Sequence, residues 1–176
     1  MIKGNYANIK YFCISNGDGI GTSVFLSGCY FQCRGCQNKS IWDHKCGAEL
    51  TDKKIDEIVD SLDNKHINHL SILGGEPLDD VNKYSTYKII RKYKSKKYSN
   101  EKKLWIWSGY TWEILKERSL NDSIIEYIIN NSDFIVDGKF EEDKKNLDLK
   151  YYGSSNQRVI DVKKSLREGN VITYEK

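Results

Sequence analysis

Proline is almost missing from this chain: Pro77 is the only one in 176 residues, beside a single methionine and three histidines. Proline-rich linkers between domains are thereby excluded, and with no internal repeat or low-complexity tract, residues 1–176 read as a single domain. No apolar run approaches the roughly 20 residues needed to span a bilayer. The first residues, Met1-Ile2-Lys3-Gly4-Asn5-Tyr6, carry no apolar signal core, which points to the cytoplasm. A large charge of one sign is lacking too. Lysine and arginine number 28 against 25 acids, and the net +3 is too mild to imply nucleic-acid binding. The lysine-rich stretch 92–103 reads as a solvated connection. The chain is also short of the roughly 250 residues of a closed eight-fold barrel, and its odd count of five cysteines argues against a disulfide framework.

What is present is a distinctive arrangement of those cysteines. Cys29, Cys33 and Cys36 have C-x3-C-x2-C spacing. Three thiolates are one fewer than an iron–sulfur cube has irons, so such a tripod leaves one iron open for a substrate. The alternative is zinc: Cys46 as fourth thiolate, or His44 as nitrogen ligand, would close a tetrahedral site that only holds the fold. About forty residues on, Gly74-Gly75-Glu76-Pro77 follows the apolar run 69–73. Paired glycines let a backbone approach a ligand closely, and a carboxylate beside strand-end carbonyls offers acceptors to an ammonium group.

Strands are expected at 23–27, 69–73, 104–107, Phe134–Asp137 and Arg158–Asp161, with helices at 53–62, 81–93, near Thr111 and at 122–130. Thr51 is the expected cap of the first helix. Strands separated by helices favour parallel βα units with chemistry at the C-terminal strand ends, and every motif quoted above lies at such an end. Trp105 and Trp107 share one strand face and are expected in the core, with Tyr110 lining a pocket.

The cysteine spacing and the Gly-Gly-Glu-Pro turn together resemble the radical S-adenosylmethionine superfamily. Asn16-Gly17-Asp18-Gly19 before the cysteines, and Cys36-Gln37-Asn38 with Trp42 after them, resemble its glycyl-radical activating branch. The segments Trp105-Ile106-Trp107-Ser108-Gly109-Tyr110, Val136-Asp137-Gly138-Lys139-Phe140 and Gly153-Ser154-Ser155-Asn156-Gln157 are similar to the members acting on anaerobic ribonucleoside-triphosphate reductase. The match departs from that pattern at Gly21, where the family usually has arginine, and at Asp18, where proline is common.

The resemblance implies an α/β fold: an open partial (βα) barrel of five to six strands, with a C-terminal extension after about residue 161. It implies a [4Fe–4S] cluster on Cys29, Cys33 and Cys36, with S-adenosylmethionine on the open iron. Gly74, Gly75 and Glu76 would receive the cofactor's amino group, backbone around Gly35, Cys36 and Gln37 its adenine, and Asp137 and Lys139 its ribose and carboxylate. The implied reaction is reductive cleavage of the cofactor to a 5′-deoxyadenosyl radical, which creates a glycyl radical on the partner reductase, with an electron donor such as reduced flavodoxin. Cys13 and Cys46 stand outside the tripod. The competing expectations are an activating enzyme of pyruvate formate-lyase or another glycyl-radical enzyme and, from a different class, a zinc-stabilised binding module without catalysis.

Overall fold

The computed structural model describes residues 4–175. Four strands form the parallel centre of the sheet: β2 (Gly21–Leu26), β4 (His69–Gly74), β5 (Lys103–Trp107) and β6 (Phe134–Asp137). Three others flank it. β1 (Asn5–Cys13) runs antiparallel to β2, the two-residue β3 (Ala48–Glu49) pairs with β1, and β7 (Arg158–Asp161) runs antiparallel to β6. The order β3-β1-β2-β4-β5-β6-β7 makes one open, mixed sheet of seven strands among the described residues. The expected five to six strands is therefore too few, and the expected parallel βα pattern gives way to antiparallel pairing at both edges.

Alternation along the strands sets the layers. Leu70 and Ile72 of β4 and Leu104 and Ile106 of β5 join the larger core cluster, where they meet the apolar stripes of the helices. In α1 (Asp52–Asp60) that stripe is Ile55, Ile58 and Val59, and the Thr51 hydroxyl caps the helix by accepting from the Lys54 N–H at 3.2 Å. The others are α2 (Lys83–Lys94), α3 (Trp112–Ser119) and α4 (Ser123–Asn131), the last capped by the Asp122 carboxylate on the N–H groups of Ile124 and Ile125. The unexpected α5 (Val162–Glu168) is capped by Asp161 and ends at Gly169 with φ +72°.

A second apolar cluster holds Trp105, Phe134, Val136 and Val159, with Trp107, Tyr151, Tyr152 and Tyr174 packed on it. Strand periodicity puts these residues on the sheet face opposite the helices, which a loop at 14–20 and the segment 140–157 help to cover. Asp18 fastens the two coverings by accepting hydrogen bonds from the hydroxyls of Tyr151 and Tyr174. At 92–103 the solvated connection is only partly found. Lys102 is buried, and its ammonium donates to the carbonyls of Asn64 and Ile67 at 2.9 and 2.6 Å.

Candidate active site

The C-terminal ends of β2 and β4 lie side by side, with Leu26 opposite Gly74. Beyond Leu26 the chain turns at Gly28 into the cysteine loop; beyond Gly74 it turns into Gly75-Glu76. The two turns are stitched together: the Gly75 N–H donates to the Leu26 carbonyl and the Glu76 N–H to the Gly28 carbonyl, both at 2.8 Å. Outside the loop, the N–H groups of Gly28 and Cys29 donate to the carbonyls of Ile41 and Trp42 at 2.8 and 3.0 Å. Two left-handed residues, Gln32 (φ +47°) and Gly35 (φ +73°), bend the loop itself.

Cys29, Cys33 and Cys36 border one cavity of about 160 Å³ together with Gly74, Gly75, Glu76 and Lys139. Cys36 and Gln37 also line a neighbouring cavity of about 390 Å³ that shares Trp107, Phe140 and Gln157 with the first. Gly35 borders neither. Its Cβ would press on the side chain of Glu142, which is ion-paired with Arg34 at 2.6 Å, so Gly35 serves the course of the loop.

Two expectations need correction, and a third gains a structural reason. The carboxylate of Asp137 is buried and lines neither cavity; it accepts from the Trp112 N–H at 2.7 Å and from Arg158 Nη2 at 2.5 Å, capping α3 and pairing β6 with β7. Tyr110 lies outside both cavity walls and packs edge-on against Phe31, with Arg118 on its face. The paired glycines answer first to the protein's own backbone. A Cβ on Gly74 would crowd the backbone of Leu26, and one on Gly75 would collide with the Gly28 carbonyl. Trp105 is in the core as expected, whereas half-buried Trp107 borders the cavities. Asn38, whose side-chain amide donates to the Gly74 carbonyl at 3.1 Å, joins the cysteine loop to the glycine turn. Its spacing from Cys36 was visible in sequence, but its partner was not.

The donor set fits a cube better than a closed zinc site. Among the described residues no group of three or more Cys, His, Asp or Glu side chains is placed to hold one ion; a cube asks each thiolate for a different iron. His44 pairs with Asp79 at 2.8 Å and the Cys46 thiol points to the Ser40 carbonyl at 3.7 Å, so neither zinc candidate lines the cavity. Burial pushes the Cys29 thiol up to about 11, against the pull of the N–H groups of Phe31 and Gln32. Burial also raises the Cys33 thiol, with the Lys139 ammonium acting the other way. Metal uptake by these thiols is therefore proton release, and weakens in acid.

Glu76 borders the cavity, but its carboxylate is committed to the protein: it accepts from the Leu78 N–H at 2.9 Å, the Ser108 hydroxyl at 2.8 Å and the Gly109 N–H at 2.6 Å. It thereby ties the turn after β4 to the one after β5. Burial nevertheless pushes its carboxyl up to about 7. A folded-state value above the unfolded one means that its contribution to stability is fully present below about pH 4.5 and is lost as pH rises through about 7, an effect of order 3 kcal/mol. Denaturant midpoints measured from pH 4 to 8 should fall across that window for the wild type relative to Glu76→Gln. Parallel curves would place the titration elsewhere.

No helix among the described residues is long and apolar enough to cross a membrane. Residues 15–160 match the family of 4Fe–4S single cluster domains. The anaerobic ribonucleoside-triphosphate reductase-activating protein of Pasteurella multocida is 36% identical over 157 residues, covering 88% of this chain and 96% of its own length. Those of Escherichia coli K12 and phage T4 are each 32% identical over 157 residues, covering 88% of this chain and 97% and 92% of theirs. With the cysteine tripod inside the matched region, the chain belongs to the 4Fe–4S single-cluster family of anaerobic ribonucleoside-triphosphate reductase-activating proteins.

Proposed function

We propose that this protein is an iron–sulfur activase that uses S-adenosylmethionine to place a glycyl radical on anaerobic ribonucleoside-triphosphate reductase. The observation that carries the reading is the meeting of three cysteines with the Gly74-Gly75-Glu76 turn around one cavity at the C-terminal strand ends. A cluster and cofactor bound there would supply one-electron reduction and hydrogen-atom abstraction directed at the reductase glycine. The protein's part is to hold three irons through Cys29, Cys33 and Cys36 and leave the fourth free. Strand-end carbonyls at Gly74 and Gly75 offer acceptors to an ammonium group, while buried Glu76 holds that turn in place. Lys139, exposed at the rim with its ammonium 4.6 Å from the centre of the Phe31 ring, suits the cofactor's carboxylate. Gln37 and the backbone of Cys36 suit the adenine. The Asn38 amide keeps the two loops in register.

The same reading includes a single domain whose sheet curves as a partial barrel and whose residues after 161 are an extension. It also includes a cytoplasmic setting and a reduced flavodoxin as electron donor. Anaerobic mixing of protein, cofactor, reductant and reductase should yield 5′-deoxyadenosine and a doublet glycyl-radical signal in electron paramagnetic resonance. Activation of pyruvate formate-lyase instead would leave the chemistry standing and change the partner. Cys46→Ala should keep about four irons per chain, whereas native zinc lost together with Cys46 would sink the cluster.

A further inference from the structure

His44 entered as a zinc candidate, yet its ring lies between the two loops that build the site. Its side chain is 19% exposed and that of its partner Asp79 is 3% exposed. The imidazole Nε2–H donates to the carboxylate oxygen Asp79 Oδ2 at 2.8 Å. The other carboxylate oxygen accepts from the N–H groups of Val81 and Asn82 at 2.9 and 2.7 Å. Asn82 in turn donates its side-chain amide to the carbonyls of Ser27 and Glu76 at 2.9 and 3.1 Å. On its other side the His44 ring occupies the space a Cβ of Gly28 would need, and its centroid lies 4.6 Å from that of Tyr30.

A chain of contacts thus runs from exposed Tyr30, the neighbour of Cys29, through His44 and the buried Asp79 and Asn82 to Glu76. Neither His44 nor Asp79 lines the cavity, so neither touches a reacting group. We infer that His44 and Asp79 are a positioning pair that fixes the separation between the cysteine loop and the turn at 74–76. The inference rests on the cluster reading for its consequence: the separation sets how well one cofactor can reach an iron and the glycine turn at once. Removing the imidazole deprives buried Asp79 of a donor and frees Gly28 to move.

The test compares His44→Phe, which keeps a ring against Tyr30 but cannot donate, with His44→Gln, whose amide can replace the lost N–H. In metal-free protein, the amides of Gly28, Cys29 and Glu76 should exchange with solvent at least tenfold faster in His44→Phe, and β6 amides should not change. After anaerobic reconstitution, His44→Phe should keep its iron but bind S-adenosylmethionine about tenfold more weakly, with a smaller change in the cluster's resonance spectrum on adding the cofactor. His44→Gln should restore both. Wild-type exchange and affinity in His44→Phe, or no rescue by His44→Gln, overturns the pair's role. If His44→Phe fails to fold, Asp79→Asn is read in the same two ways. A wild-type protein that takes up no iron overturns the cluster reading alone, since the exchange experiment still decides whether the pair holds the two loops.

Discussion

Cys36→Ala is expected to empty the site while leaving the fold in place. Iron should drop from about four per chain to below one, and 5′-deoxyadenosine and the glycyl radical should fall to background together. Cys36 borders both cavities, and its sulfur accepts from the Asn38 N–H at 3.4 Å, a contact suited to stabilising a thiolate bound to metal. Its side chain is only half-buried, so truncation removes little apolar contact and thermal unfolding of metal-free protein should shift by no more than about 2–4 °C, the equivalent of roughly 1 kcal/mol. Cys29→Ala and Cys33→Ala should behave alike, because each removes a ligand to a different iron. Retention of a full cluster in Cys36→Ala would mean that the tripod has been drawn from the wrong cysteines.

Gly75→Ala carries the second large effect. One methyl group at Gly75 collides with the Gly28 carbonyl, which already accepts from the Glu76 N–H and the Asn82 amide. The obstacle is backbone, so no side chain can rotate aside. Overpacking of this kind costs about 1–3 kcal/mol, and relief requires pulling Gly28 and Cys29 away from the turn. We expect the unfolding midpoint to fall by roughly 5–10 °C and cofactor affinity to fall at least tenfold. Gly138→Ala is the control. The nearest atoms to its Cβ are 3.8 Å away, so only the backbone angle of φ +97° opposes it. If Gly75→Ala melts and binds like wild type, the two turns are not packed as described.

This contrast marks what could be read from the chain alone. The cysteine loop is local, and its spacing carries its chemistry. The helix expected over 53–62 and its cap at Thr51 are local too, and the structure has them at Asp52–Asp60 and Thr51. The packing demand on Gly75 and the structural contacts of Asp137 depend on Gly28 and on Trp112 and Arg158, all far away in sequence, so neither had a local signature. β1 escaped notice because its mixed, largely uncovered residues show no apolar alternation, and its pairing with β2 is broken by irregular register. The antiparallel sense of β7 has no local signature either. It depends on how segment 140–157 returns across the sheet.

The fastening at Asp18 also bears on when the site can be completed. Its partners Tyr151 and Tyr174 lie 133 and 156 residues further along the chain. During synthesis from the N-terminus, the loop at 14–20 and all three cysteines leave the ribosome long before either tyrosine exists. The helices and the parallel strands can pack as they emerge, whereas the wall of the second cavity waits for Tyr151 and its neighbours, a separation that slows such contacts. Completion of that wall therefore follows the synthesis of Tyr151, and a chain stopped before it carries every cysteine of the tripod with neither hydroxyl to hold Asp18.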